Sequence, residues 1–116
     1  MTKNRYDMEV RVKFHRHLYV GDRVKNVEKV KWKLRVGAGL VGIYVITLGH
    51  GTDQLEFYHA AYLKQKFLRR YRPPYIVGLA ASQTEAQTLV ETIIAECYQK
   101  TGNAQIKKYL LGQETM

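Results

Sequence analysis

The chain has 116 residues, 46% of them hydrophobic and 25% charged, which is enough for one folded domain over residues 1–116 and too little for two. Its single cysteine, Cys97, excludes an internal disulfide and gives no sign of an oxidising compartment. The longest uncharged run, residues 36–49, is shorter than the roughly 20 residues of a membrane-spanning helix. We therefore expect a soluble, cytoplasmic protein without a membrane partner.

Positive charge is concentrated in one part of the chain. Residues 1–72 contain 16 Lys and Arg against 6 Asp and Glu, whereas residues 73–116 contain 3 against 4, and the formal net charge is +9. This asymmetry predicts a surface of one sign and a polyanionic partner, but it does not identify that partner.

Apolar and charged residues alternate without a break from Tyr6 to Phe14, which predicts a half-buried strand. The strand can continue through Leu18 to Val20, although Arg16 interrupts its apolar side.

Two histidines beside this strand, His15 and His17, have the spacing of a metal-ligand pair, because alternate residues of a strand face the same way. The other two histidines of the chain are candidates to join them, but the sequence contains no second tight ligand pair. Lys13 and Arg16 would also oppose a bound cation. We therefore predict an exposed polar face here and no metal.

The pattern of residues 22–36 fits two structures. The apolar residues at positions 24, 27, 30 and 34 have helical spacing, with Asp22 as a candidate N-cap and Gly37 as a candidate terminating glycine. Residues 30–36 also alternate apolar with basic, as in a strand, and Gly21 and Asp22 would then form a hairpin turn. We favour the helix, since lysine and arginine are good helix formers and both end signals are present.

The middle of the chain begins with an apolar, β-branched run from Val41 to Leu48, which predicts a central strand buried on both faces. Gly49 to Asp53 is predicted to be a loop. The segment from Gln54 to about Tyr71 is predicted to be mostly helical, although Leu55 to Tyr58 also fits a short strand. The prolines at positions 73 and 74 end this element.

A second buried strand is predicted from Tyr75 to Ala81. Ser82 and Glu85 then form a capping box, which indicates the start of a helix that ends before Gly102. Its residues form an apolar stripe at helical spacing: Ala86, Leu89, Val90, Ile93, Ile94 and Cys97. A short apolar patch follows that can dock back on the core: Ile106, Tyr109 and Leu110. Residues 113–116 are expected to fray.

These elements predict an α/β fold, with α+β as the alternative. About three strands and three helices follow in the order β-α-β-α-β-α, with the helices packed on a small mixed or parallel sheet. The few strands predicted suggest that a second copy completes the sheet edges, which makes a homodimer a possible assembly.

Other candidate sites are better explained as structural features. Residues Gly37 to Gly42 match the glycine spacing of a dinucleotide-binding loop, but a strand follows them where that loop needs a helix, so we predict a structural turn. The N-terminus of the last helix is suited to an anion, but Glu85 repels one there. Cys97 is predicted to be a buried, inert thiol. We recognise no catalytic constellation, so the sequence favours a protein that is not an enzyme and needs no cofactor.

Two basic clusters remain as the candidate functional residues. The cluster in residues 23–35 includes Lys29, Lys31, Lys33 and Arg35. The cluster in residues 64–72 has no acidic residue and consists of Lys64, Lys66, Arg69, Arg70 and Arg72. Phe67 and Tyr71 lie between these cations, with Tyr71 as the candidate stacking residue, because basic side chains beside aromatic rings are typical of grooves for single-stranded nucleic acid. The alternative for either cluster is a solvated helix face.

The sequence therefore favours a small basic binding module, with nucleic acid bound mostly without sequence readout. One alternative is a homo-oligomeric interaction or assembly protein with an acidic protein partner. Another is a small protein or enzyme that binds a phosphorylated ligand at the Gly49–Asp53 loop.

Overall fold

The computed structural model describes residues 12–37, 40–49, 54–62 and 75–114. They form one domain with three α-helices and a four-stranded mixed sheet, which confirms the predicted fold class in its α+β form. In chain order the elements are β1 (Lys13–Val20), α1 (Val27–Val36), β2 (Tyr44–Leu48), β3 (Leu55–His59), a 3-10 turn (Ala60–Tyr62), β4 (Tyr75–Ala80), α2 (Gln83–Thr101) and α3 (Ile106–Glu114). None of the helices in these described ranges is both long enough and apolar enough to cross a membrane.

The strands lie in the order β1-β4-β2-β3. β4 is parallel to β1 and antiparallel to β2, and β3 is antiparallel to β2. The two central strands lie in the two apolar segments, as predicted, but β2 begins at Tyr44 instead of Val41, which is 96% exposed. Ile76 and Leu79 of β4 pack on one side of the sheet, and Val77 and Ala80 pack on the other, so β4 is buried on both faces.

The helices cover opposite faces of the sheet. Val30 and Leu34 of α1 join the core on one face, together with Val45 of β2. On the other face, the core includes Ile93 of α2 and Leu110 of α3, both with no exposed surface. Each face of the sheet thus removes apolar surface from water, which is the main favourable contribution to folding.

The first strand agrees only partly with its prediction. β1 runs over Lys13–Val20, so it contains the last two residues of the predicted strand and its predicted extension. Residues 6–11 of the predicted strand lie outside the described residues. Phe14 pairs with Ile76 and Tyr19 pairs with Gly78, so residues 15–18 lie opposite a single residue of β4. This large bulge interrupts the pairing in the middle of β1, while both ends of β1 remain paired with β4.

Residues 27–36 form the helix that the sequence favours over the strand. Gly37 ends α1 in the left-handed conformation, with φ of 75°, and its N–H donates to the Lys33 carbonyl, as predicted. The predicted N-cap is wrong, because Asn26 rather than Asp22 begins the helix. Asn26 has φ of 54°, a conformation that asparagine tolerates better than most residues.

The prediction of a mostly helical segment from Gln54 is wrong over Leu55–His59, which forms strand β3. Ala60–Tyr62 forms the 3-10 turn, and residues 63–71 of the predicted segment lie outside the described residues. The alternative short strand is therefore the correct one, and it gives four strands where three were expected. All five residues of β3 pair with β2, from Leu55 opposite Leu48 to His59 opposite Tyr44. Leu55 and Phe57 pack on the α2 side and Tyr58 packs on the α1 side, which is the alternation of a strand.

The last two helices follow the sequence closely, except that Ile94 of the predicted apolar stripe is 39% exposed. The Ser82 hydroxyl accepts a hydrogen bond from the Glu85 N–H at 3.0 Å, and Gly102 ends α2 with φ of 78°. The apolar patch of the tail docks on the core, with Ile106 and Leu110 both buried. α3 continues to Glu114, so the first two residues of the segment expected to fray are helical, while residues 115–116 lie outside the described residues.

Candidate nucleic-acid interface

The first basic cluster lies mainly on α1, whose core-facing side is fixed by burial. Val30 and Leu34 retain 6% and 3% of their exposed surface, and Val27 packs beside them. An α-helix turns by about 100° per residue, so these three positions occupy one side and leave the opposite side to solvent.

Trp32 lies near the middle of that outer side and is 57% exposed. At helical spacing, Lys29 and Lys33 fall on one flank of Trp32, and Lys31 and Arg35 fall on the other. Lys29 and Arg35 are exposed, and Lys31 and Lys33 are partly buried. We call these five residues the α1 surface.

Phe14 of β1 positions one flank of the α1 surface. The Lys31 Nζ lies 5.4 Å from the centre of the Phe14 ring, and the Arg35 Cζ lies 5.0 Å from it. A cation over an aromatic face is attracted by the ring quadrupole, and the long side chain covers apolar surface while its charge stays in water. Lys31 also forms an exposed ion pair with Glu28 at 3.8 Å. Two of the predicted cations are thus held against β1.

The other flank has no such neutralising contact. Within the described residues, no carboxylate lies within ion-pair distance of Lys29 or Lys33. Arg23 and Lys25, in the loop before α1, are exposed as well. Residues 22–36 contain six Lys and Arg but only two acids, Asp22 and Glu28, so this segment carries a net positive charge.

Trp32 is not among the binding residues predicted from the sequence. The strand alternative placed it with Val30 and Leu34 as an apolar residue of one face. The helical spacing of the buried positions contains the signal that could have found it, because position 32 lies far from the arc of positions 27, 30 and 34.

The second basic cluster lies outside the described residues. Its five predicted binding residues are Lys64, Lys66, Arg69, Arg70 and Arg72, and none of them is described. The same is true of the aromatic residues between them, Phe67 and Tyr71. Residues 50–53 of the loop considered for a phosphorylated ligand are also outside the described ranges. The α1 surface is therefore the part of the predicted interface whose geometry is known.

The anion position at the start of α2 is filled by the protein itself. One Glu85 carboxylate oxygen accepts a hydrogen bond from the Ala81 N–H at 2.7 Å, and the other accepts from the Arg23 N–H at 3.0 Å. The carboxylate therefore occupies the positive end of the helix dipole and links it to the turn after β1. Asp22 lies in this turn, four residues before Asn26, and so does not cap α1.

The prediction of an exposed polar face at His15 and His17 is wrong for His15, which is only 2% exposed. Its Nδ1 accepts a hydrogen bond from the His17 N–H at 3.0 Å, and its Nε2 donates to the Leu110 carbonyl at 2.8 Å. α3 covers this side of β1, which the alternation pattern alone does not reveal. Both ring nitrogens are occupied, and no three His, Cys, Asp or Glu side chains in the described ranges are arranged to hold a metal ion.

A polar cluster joins β1, α2 and α3. The Tyr19 hydroxyl donates to Glu96 Oε2 at 2.7 Å and the Tyr109 hydroxyl donates to the same oxygen at 2.5 Å. Burial, followed by the hydrogen bond to Glu96, raises the pKa of Tyr19 to about 12 and raises the pKa of Tyr109 as well. Burial also raises the pKa of Glu96, but the hydrogen bonds from the tyrosines and the charge of Lys100 outweigh it, so that pKa is lowered.

A shallow cleft of about 380 Å³ lies next to this cluster. It is lined by Thr101, Asn103, Gln105, Lys108, Tyr109, Gly112 and Gln113. Gln113 donates to Glu96 at 3.4 Å, while its Oε1 atom is buried without a hydrogen-bond partner among the described residues. Among the lining side chains, the Thr101 hydroxyl donates to Asn103 Oδ1 at 3.2 Å, while Tyr109 and Gln113 donate to Glu96 beside the cleft.

The remaining sequence candidates have structural roles. Gly37 and Gly42 both have positive φ, and β2 follows them where a dinucleotide site would need a helix. Cys97 is fully buried in the α2 core, as predicted, and its thiol donates to the Asn103 carbonyl at 3.5 Å. Comparison with known proteins finds no family model, no curated protein and no solved structure that matches this chain.

Proposed function

We propose that this protein binds nucleic acid through the α1 surface, mostly without reading its sequence. The observation that carries the proposal is the uncompensated charge of Lys29 and Lys33 beside Trp32, since no carboxylate in the described residues neutralises them. Cationic side chains on one helix face release counterions from phosphates, and this supplies most of the affinity of non-specific binding.

The arrangement of the α1 surface supports contact with phosphates rather than with base edges. Lysines and arginines predominate on it, whereas asparagine and glutamine, which read adenine, are absent from α1. Arg35 is the one arginine of α1, whose planar guanidinium suits a bidentate contact with guanine, and that guanidinium lies over Phe14. Phosphate contacts position a protein on nucleic acid and carry no sequence information.

The test is binding of fluorescently labelled single-stranded and duplex oligonucleotides, measured by anisotropy at several salt concentrations. The double variant Lys29→Glu/Lys33→Glu should bind much more weakly than the unmodified protein. Removing two phosphate contacts should also flatten the slope of log K against log salt by about 2.

The matched control is Lys107→Glu/Lys108→Glu, which changes net charge by the same amount on exposed residues of α3, on the other side of the sheet. It should retain most of the affinity. Equal weakening by both double variants would assign binding to overall charge and overturn the role of α1. Absence of binding at low salt would overturn the proposal as a whole.

The second basic cluster belongs to the same proposal as a sequence prediction. Charge reversal at Arg69, Arg70 and Arg72 should abolish binding and leave the fold intact. A cytoplasmic location is also part of the proposal, because a single unpaired cysteine fits a reducing compartment.

The alternative hypotheses differ in what accompanies the purified protein. A high ratio of absorbance at 260 to 280 nm that falls on a salt wash supports nucleic acid. A clean ratio supports an acidic protein partner, with or without a homodimer. Stabilisation by one phosphorylated compound in a thermal-shift screen would favour a small-ligand protein or enzyme.

A further inference from the structure

Within the described residues, nothing in the packing of the core accounts for the exposed position of Trp32. Tryptophan is highly buried on average, yet Trp32 is 57% exposed at the centre of the α1 surface. The apolar side of α1 is completed by Val30 and Leu34, which fill the core without it. No aromatic or cation contact to the Trp32 ring is formed within the described residues.

The neighbours of Trp32 are the groups that bind a phosphate backbone. Lys29 and Arg35 lie three residues before and after it, a spacing that places side chains next to one another on a helix. A strand whose phosphates contact these two cations therefore has its bases within reach of the indole. Charge for the backbone and a flat ring for the bases together define a surface for single strands.

We propose that Trp32 stacks on an unpaired base, so that the α1 surface prefers single-stranded nucleic acid over duplex. This inference rests on the proposed function and adds the class of nucleic acid. In a duplex, each base face is already covered by the next base pair, so the indole gains a partner only when a base is unpaired. Stacking tolerates any sequence, because every base has a π face.

Trp32 is the single tryptophan of the chain, so its own fluorescence reports the contact. Titration with oligo(dT) should quench the emission, because stacking brings a base against the indole. An abasic oligonucleotide with the same number of phosphates is the matched probe. It should still bind in a salt-dependent manner but leave the emission nearly unchanged. Equal quenching by both probes would overturn the inference.

A variant series separates stacking from charge. Trp32→Ala should weaken binding of oligo(dT) by about 5- to 150-fold, the range expected for one base stacked on an aromatic ring. Duplex affinity should change less than about twofold, and Trp32→Phe should recover part of the lost affinity, since phenylalanine also presents a ring. Circular dichroism should show an unchanged fold, because the side chain is outside the core.

The ways in which the inference can fail are distinguishable. If Trp32→Ala leaves oligo(dT) affinity unchanged while Lys29→Glu/Lys33→Glu abolishes it, the inference is wrong and the proposed function stands. Equal loss of single-stranded and duplex binding in Trp32→Ala leads to the same conclusion. If neither form of nucleic acid binds, both fail. Binding to anionic phospholipid vesicles that depends on Trp32, with oligonucleotide binding unaffected by its loss, would assign the residue to a lipid surface and overturn the inference.

Discussion

Glu85 fills the space that a side chain on Gly21 would need. A β-carbon on Gly21 would overlap the carboxylate carbon of Glu85, far inside van der Waals contact. Gly21 does not have a positive φ, so glycine is required here for space and not for conformation. Through this close approach, the carboxylate reaches both Ala81 and Arg23 and joins the turn after β1 to the start of α2.

The first prediction is that Gly21 and Glu85 act as one unit. Gly21→Ala should displace the carboxylate and leave two N–H groups without their acceptor, at a cost of about 1–3 kcal/mol in the free energy of unfolding. Glu85→Ala should cost a similar amount. In the Glu85→Ala background, Gly21→Ala should cost less than about 0.5 kcal/mol, because nothing is left to displace.

Urea denaturation of the four proteins of this cycle measures the coupling. Glu91→Ala, at an exposed position of α2, is the control and should change stability by less than about 0.5 kcal/mol. Additive losses in the double variant would show that Gly21 and Glu85 are independent.

The predictions from sequence succeed where the signal is local. The Ser82–Glu85 capping box, the apolar stripe of α2 and the αL glycines at 37 and 102 depend on residues within a few positions of one another. Helix α1 was correctly favoured for the same reason. Strand β3 was predicted as helix because its strand character depends on pairing with Tyr44–Leu48, and five residues alone do not specify that partner.

The site shows the same limit. The four cations of α1 were found from sequence because charge is visible there, and how they would be used stays a prediction. Trp32 was missed because its exposure depends on which side of α1 faces the sheet. His15 was predicted to be exposed because the helix that covers it is distant in sequence. The contact of His15 with α3 is made at Leu110, 95 residues further along the chain. Long-range packing thus determines which of these side chains is available.

The second prediction concerns His15. His15→Leu keeps an apolar body of similar size but leaves the His17 N–H without its acceptor and removes the donor to the Leu110 carbonyl, which should cost about 1–3 kcal/mol. His15→Gln should cost less, since its amide can still donate to Leu110. Urea denaturation compares the variants, with His17→Leu at the exposed neighbouring position as the control, expected to change stability by less than about 0.5 kcal/mol. Equal stability of the Leu and Gln variants would show that the Leu110 bond contributes nothing.

The third prediction is a pH dependence that originates at Glu96. Its pKa is lower in the folded chain than its ordinary value of 4.5, so its stabilising effect is complete above that value and is lost as pH falls through the folded pKa. Burial and the hydrogen bond to Glu96 raise the pKa of Tyr19 to about 12. The stabilising effect of the protonated Tyr19 hydroxyl is therefore complete below pH 10.0 and is lost as pH rises toward 12.

Glu96→Gln should therefore differ most from the unmodified protein between these two limits and approach it at acidic pH. The free energy of unfolding, measured in urea at a series of pH values, tests this. Glu91→Gln, on the exposed side of α2, should show a constant small difference across the same range. A difference for Glu96→Gln that is independent of pH would contradict the lowered pKa.

The fourth prediction contrasts two glycines that have no positive φ. A β-carbon at Gly78, in the centre of β4, would lie 2.9 Å from Ile46 Cδ1 and 3.2 Å from the Tyr19 carbonyl oxygen. The Tyr19 oxygen is backbone of the paired strand and cannot move without opening the sheet, so Gly78→Ala should cost about 1–3 kcal/mol. Gly112, within α3, has nothing within 4 Å of such an atom, so Gly112→Ala should instead stabilise by about 0.5–1 kcal/mol through reduced freedom of the unfolded chain. Thermal and urea unfolding measure the change in the free energy of unfolding for each variant, which should be a loss for Gly78→Ala and a gain for Gly112→Ala. A stabilising Gly78→Ala would show that β1 and β2 do not approach β4 as closely as described.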